Sequence, residues 1–175
     1  MSNEEIKYFV ISDVHGDEEA LEKFYIIAKE EKPNSVLICG DLCPSSPYFV
    51  NLLKNLPCSY HIVRGNCDSV WDFSEYSLPV PKLTEELMLK DRVIALTHGH
   101  AYFVDNYPYS FKKGDIFIYG HTHRAELSFR DPIVLNPGSL SRPRGRYEGT
   151  FIKLYFDRAE LFSLENNKKL ESLKF

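Results

Sequence analysis

A chain of 175 residues, 43% hydrophobic and 26% charged, suits one globular domain with a buried core. Its formal net charge of -4 argues against a general nucleic-acid or acidic-membrane surface, which needs a basic face. An anionic substrate stays open, because charge inside a site outweighs distant surface carboxylates.

The opening segment carries Glu4 and Glu5 where a secretory signal has basic residues, and no run approaches the roughly 18 to 20 apolar residues of a membrane span. Cys39, Cys43, Cys58 and Cys67 lack the paired Cys-x-x-Cys spacing of a zinc ribbon and read as free thiols. Cytoplasm is the expected compartment.

Lys7 to Ser12 is a β-rich apolar run that ends at Asp13-Val14-His15-Gly16. Leu21, Phe24, Tyr25 and Ala28 follow at helical spacing, and Lys32-Pro33-Asn34 stops that helix. Ser35 to Cys39 predicts a second strand, ending on Gly40-Asp41. Ser46-Pro47 has the form of an N-cap with proline at the first helical position, predicting a short helix from Tyr48 to Asn55. His61 to Arg64 predicts a third strand, ending at Gly65-Asn66-Cys67-Asp68. This is βαβ rhythm, in which parallel strands bring their carboxyl ends to one edge, where ligands bind.

The second half predicts strands at Leu83 to Leu89, Val93 to Thr97, Ile116 to Tyr119, Glu126 to Phe129, Ile133 to Leu135, Thr150 to Phe156 and Ala159 to Leu164. Short turns between several of them suggest antiparallel hairpins forming a second sheet packed on the first. Leu83 to Leu89 also suits a helical turn. With no repeat and no linker, one domain spanning residues 1–175 is expected.

Five of the six histidines cluster after strands: His15, His98, His100, His121 and His123. Asp13-x-His15, Gly40-Asp41, Gly65-Asn66, His98-Gly99-His100 and Gly120-His121-Thr122-His123 follow in order, most with a glycine that permits close approach. Carboxylate and amide oxygens with neutral imidazoles suit hard and borderline divalent ions. A metal pair about 3.5 to 4 Å apart usually needs a bridging oxygen, and Asp41 is the central candidate. Capping and turn chemistry would explain Asp13, His15 or Asp41 singly, but not their coincidence with the histidine clusters.

This ordered set resembles the signature of the calcineurin-like metallophosphoesterases over Asp13 to His123. Gly65-Asn66-Cys67-Asp68 and Asn136-Pro137-Gly138-Ser139 resemble its YfcE-like branch. The resemblance implies a two-sheet β-sandwich flanked by helices, an α/β fold. It implies Asp13, His15, Asp41 and His123 at one metal, and Asp41, Asn66, His98 and His121 at the other. Those beside the reacting group are Asp41, Asn66, Cys67, Asp68 and His98, with Asp68 orienting a neighbouring ligand. Two divalent ions are implied, Mn first, with Fe, Ni, Co or Zn tolerated by the same set. A hydroxide held by the metals would attack a small phosphodiester or another phosphate ester in line, with no covalent intermediate.

Many relatives carry His where this chain has Cys67. The YfcE-like branch shares the Cys, and the resemblance implies phosphodiesterase behaviour. A diester carries less negative charge than a monoester and should suffer less from the missing imidazole. His61 reads as structural, and His100 as substrate-side or solvated. Arg124 reads equally as phosphate contact or surface residue, and Arg142, Arg144 and Arg146 as a solvated run or as a substrate contact. The aromatics of the 101–114 segment read as a lid or a satellite core. A rival reading is an inactive scaffold for protein binding, which typically loses ligands; here all are intact. The oligomeric state is not legible, which leaves a homo-oligomer open.

Overall fold

The computed structural model describes residues 8–175. Lys7, which the sequence places at the head of the first strand, lies outside the described residues. Three parallel strands, β1 (Tyr8–Ile11), β2 (Ser35–Ile38) and β3 (Ser59–Ile62), alternate with helices α1 (Glu18–Glu31) and α2 (Pro47–Lys54). The Asp17 and Ser46 side chains cap these helices by accepting the Ala20 and Phe49 N–H groups. A third helix, α3 (Val70–Glu75), follows the β3 loop and was not legible in the sequence.

The remaining strands are β4 (Thr84–Leu89), β5 (Arg92–Thr97), β6 (Ile116–Ile118), β7 (Ala125–Ser128), β8 (Ile133–Pro137), β9 (Thr150–Leu154), β10 (Arg158–Ser163) and β11 (Lys169–Lys174). They do not form one antiparallel sheet. β9, β10 and β11 return to the first sheet, giving the order β11-β10-β9-β1-β2-β3, with β9 antiparallel to β1. The second sheet has the order β4-β5-β6-β8-β7, in which β5, β6 and β8 are parallel. Both sheets are therefore mixed. The expectation of antiparallel hairpins holds for β4–β5, β7–β8 and β9–β10–β11, where turns are short. It fails where segment 98–115 is long enough to cross over and restart β6 parallel to β5. The 84–89 segment resolves as a strand because it pairs across the Lys90-Asp91 turn with β5; pairing overrides helix propensity here. The third strand begins two residues earlier than its apolar pattern suggested, and β11, polar on its exposed face, escaped that pattern.

Strict alternation along the central strands explains the layers. Phe9, Ile11, Val36 and Ile38 face α1 and α2, which contribute Leu21, Phe24, Phe49 and Leu53. Val10 and Leu37 face the other sheet and meet Ile94, Leu96, Ile116 and Ile118. Both faces of the central strands are thus dry. Phe117 and Ala95 point to the far side of the second sheet, where Tyr102, Phe103, Tyr107, Tyr109 and Phe111 pack against them. Of the two readings of that segment, the structure selects the satellite core: Phe117 makes edge contacts with Phe103, Tyr107 and Phe111.

Candidate metal centre

The parallel strands of both sheets end at one edge, and their loops continue the pairing beyond the strands. Asp13 N–H donates to Gly40 O at 3.1 Å, His15 N–H to Asp41 O at 2.9 Å, and Gly120 N–H to His98 O at 3.0 Å. Asp13, His15, Asp41, His121 and His123 all adopt positive φ, between 50° and 65°. Non-glycine residues in this region cost roughly 1–3 kcal/mol each and collect at functional sites. Five of the seven residues that the sequence singled out as metal ligands carry this strain. Glycines make room at two contacts. A Cβ on Gly65 would lie 2.0 Å from Asp41 Oδ1 and 2.3 Å from the Asp41 nitrogen; one on Gly120 would lie 1.8 Å from Ser12 Oγ.

Hydrogen bonds determine which imidazole nitrogens face inward. His98 Nδ1 donates to Cys39 O at 2.7 Å, and His123 Nδ1 to Arg142 O at 2.6 Å. In the neutral rings each Nε2 then presents a lone pair to the centre. His98 Nε2 faces Asn66 Oδ1 at 3.0 Å and Asp41 Oδ2 at 3.4 Å, both acceptors. His123 Nε2 faces Asp13 Oδ1 at 3.1 Å and His15 Nε2 at 3.2 Å. Asp13 Oδ1 is buried and has no hydrogen-bond partner among the described residues, whereas its Oδ2 accepts the His121 N–H. With the imidazoles neutral, lone pairs converge here with no proton between them, as a cation requires, whereas in the metal-free state a proton on His98 Nε2 can bridge to Asp41. Asp41 divides its labour similarly: Oδ1 accepts the Cys67 N–H at 2.8 Å, and Oδ2 lies 3.4 Å from His98 Nε2 and 3.8 Å from His15 Nε2. That second oxygen stands between the two histidine groups.

Electrostatics follow the same geometry. Burial disfavours the Asp41 carboxylate, but hydrogen bonds from His98 and the Cys67 N–H outweigh it and hold the carboxyl well below its ordinary range. Burial likewise disfavours the His98 cation, yet the Asp41 hydrogen bond and charge raise its pKa above the ordinary value. Burial lowers His15 and His121. Burial and a hydrogen bond to Asp41 push the Cys67 thiol up to about 11.

The structure brings together donor atoms of Asp13, His15 and His123, of Asp13, Asp41 and His98, and of His15, Asp41 and Cys67, each set lying within 4.8 Å. Asn66 joins through its contact with His98. His121 stands apart from these sets: its side chain is exposed, and its ring centroid lies 5.1 Å from that of His98. His100 is 5.3 Å from the His98 ring and exposed. Asp68 accepts the N–H groups of Gly65 at 2.7 Å, Asp41 at 2.8 Å and Cys43 at 2.9 Å, locking the β2 and β3 loops together. Arg124, Arg144 and Arg146 are exposed, and Arg146 stacks on Tyr147. Arg142, also exposed at its side chain, acts through its carbonyl on His123. His61 sits away from the centre, paired with Glu85 at 2.7 Å.

Sequence reasoning assigned no role to the serines and the amide that brace this edge. Ser139 Oγ donates to Asp13 O at 2.7 Å, Ser141 Oγ to Val14 O at 2.8 Å, and Asn136 Nδ2 to Gly120 O at 2.9 Å. The signal was present in Asn136-Pro137-Gly138-Ser139, but only the folded chain shows that β8 delivers it beneath two metal-candidate loops.

Comparison with known proteins agrees with this arrangement. A family profile described as the calcineurin-like phosphoesterase superfamily domain matches residues 6–159. Phosphodiesterase YfcE of Escherichia coli K12 is 27% identical over 173 residues, covering 92% of this chain and 94% of its own length. The probable metallophosphoesterase YsnB of Bacillus subtilis is 32% identical over 148 residues, covering 78% of this chain and 76% of its own. The solved structure of the E. coli phosphoesterase YfcE superposes with a TM-score of 0.87 at 26% identity, covering 97% of this chain and 99% of that one. A sandwich of two mixed sheets, the ordered Asp, Asn and His loops at one edge, and a profile spanning most of the sequence lead to one assignment: the chain belongs to the calcineurin-like phosphoesterase superfamily, a family of hydrolases.

Proposed function

We propose that this chain is a binuclear-metal-dependent phosphoesterase that hydrolyses small phosphodiesters. Family membership brings divalent ions, and the observation that carries the finer reading is the pair of donor groups sharing Asp41 Oδ2, with the buried Asp13 Oδ1, which has no hydrogen-bond partner among the described residues, facing His123 Nε2. Asp13, His15, Asp41 and His123 would hold one ion, and Asp41, Asn66, His98 and His121 the other, drawn from Mn, Fe, Ni, Co or Zn. When bound, the ions supply Lewis acidity toward the attacking water and the phosphoryl oxygens.

The chain's own residues do the rest. Cys39 O and Arg142 O orient His98 and His123 through their Nδ1 protons, which raises the basicity of the inward nitrogens. Asp68 holds Asp41 and Gly65 in register. Cys67 is exposed at the open side of the centre, where it offers no imidazolium to the extra charge of a monoester. A diester preference follows, and the YfcE relative bears the name phosphodiesterase. We take residues 1–175 as one domain. The scaffold alternative has no specific observation in its favour, since each proposed ligand type is present.

The test is hydrolysis of chromogenic phosphodiesters and monoesters across a panel of divalent ions, after chelation and reloading. Activity should vanish with chelator and return with Mn²⁺, faster on diesters. If no ester turned over with any ion, the enzymatic reading would fail.

A further inference from the structure

We infer that Cys67 is an additional metal contact, a sulfur donor at the His15–Asp41 position that biases this centre toward thiophilic divalent ions such as Zn²⁺ and Co²⁺ over hard ones such as Mn²⁺ and Mg²⁺. This rests on the reading of the edge as a metal centre and adds a ligand to it.

Three contacts place the sulfur. The Cys67 N–H donates to Asp41 Oδ1 at 2.8 Å, which pins the residue against the carboxylate shared by both donor groups. The sulfur takes the Asn66 Nδ2 hydrogen at 3.3 Å, so it turns toward ligand side chains although the residue itself is exposed. The sulfur, a His15 ring nitrogen and an Asp41 oxygen all lie within 4.8 Å of one another. Metal–sulfur bonds of about 2.3 Å and metal–nitrogen or –oxygen bonds of about 2.0–2.2 Å span donor separations of roughly 3.5 Å, so a small side-chain adjustment closes the set. On coordination the thiol proton passes to solvent and the sulfur–metal bond takes its place.

The other thiols are placed differently. Cys39 is buried between the sheets, and Cys58 packs on the helical side of the first sheet. Cys43 directs its sulfur to Cys67 O at 3.5 Å. The remaining proposed ligands are oxygens and imidazoles, a set that both Mn²⁺ and Zn²⁺ accept. A thiolate separates them, because soft sulfur favours zinc and cobalt while manganese prefers oxygen.

The experiment reads binding and not turnover. Full-length protein, chelated and loaded with Co²⁺, is examined by absorption spectroscopy alongside Cys67→Ser, Cys67→Ala and Cys43→Ser. The wild type and Cys43→Ser should show a near-ultraviolet sulfur-to-cobalt charge-transfer band that both Cys67 variants lack, with visible d–d bands in all four. In competition titrations Cys67→Ser should lose about ten-fold or more in Zn²⁺ affinity and less than about three-fold in Mn²⁺ affinity. Wild-type protein with d–d bands but no sulfur band would overturn the inference and leave the metal centre standing. Failure to bind cobalt at all would overturn both. A band that survives Cys67→Ser and disappears in Cys43→Ser would also overturn it, by giving the contact to Cys43.

Discussion

Gly120→Ala is the sharpest probe of how the fold positions the centre. The new Cβ would lie 1.8 Å from Ser12 Oγ, 2.9 Å from Ser12 Cβ and 2.8 Å from Asp13 Oδ2. Ser12 cannot swing away freely, because it is fully buried and its hydroxyl donates to Cys39 O at 3.1 Å. Overpacking of this kind costs about 1–3 kcal/mol, and a contact this short puts Gly120→Ala near the top of that range. With a urea m-value of about 2 kcal/mol/M, the unfolding midpoint of chelated protein should fall by about 1.5 M. Ser12→Ala alone should cost about 1 kcal/mol for its lost buried hydrogen bond. In the double variant the nearest clashing atom is gone, so the two costs should fall short of additivity by about 1 kcal/mol. Because Asp13 Oδ2 is the other neighbour, Gly120→Ala should also weaken metal binding, and Ser12→Ala in the same chain should restore part of it. A shift under about 0.3 M for Gly120→Ala, or strict additivity in the double variant, would show that Gly120 does not pack directly against Ser12.

Asp41→Ala should reduce bound metal from about two ions per chain to fewer than one, measured by elemental analysis after equilibration; a retained full equivalent would contradict the shared-ligand role. Cys67→His, assayed with Mn²⁺, should raise the monoester-to-diester ratio of kcat/KM by about ten-fold, since it installs an imidazole near the leaving group; an unchanged ratio would remove Cys67 from the substrate side. In chelated protein, NMR titration should find His98 protonated to higher pH than His15, His100 and His121, as it is raised above the ordinary 6.5 while the others are lowered. In the metal-free state His98 therefore contributes stability that is fully present below pH 6.5 and lost as pH rises through its folded value. Metal needs the neutral ring, so affinity at His98 should fall as pH is lowered through that same value; the reverse order of titration would refute the assigned coupling to Asp41.

The primary sequence by itself determined the local features. The helix cap at Ser46, the apolar runs that become β1 and β2, and the ordered acid, amide and histidine loops were all legible, because each depends on residues a few positions apart. Tertiary structure alone decided the rest. Whether β9 joins the first or second sheet depends on which edge is left unpaired beside β1, a contact between residues about 140 positions apart. The direction of β6 depends on where the aromatic segment 102–111 is buried. At the centre, the sequence named the metal-candidate side chains but not the inward nitrogens of His98 and His123. Those depend on the backbone carbonyls of Cys39 and Arg142, and every residue carries such a carbonyl, so no sequence pattern marks the two that matter.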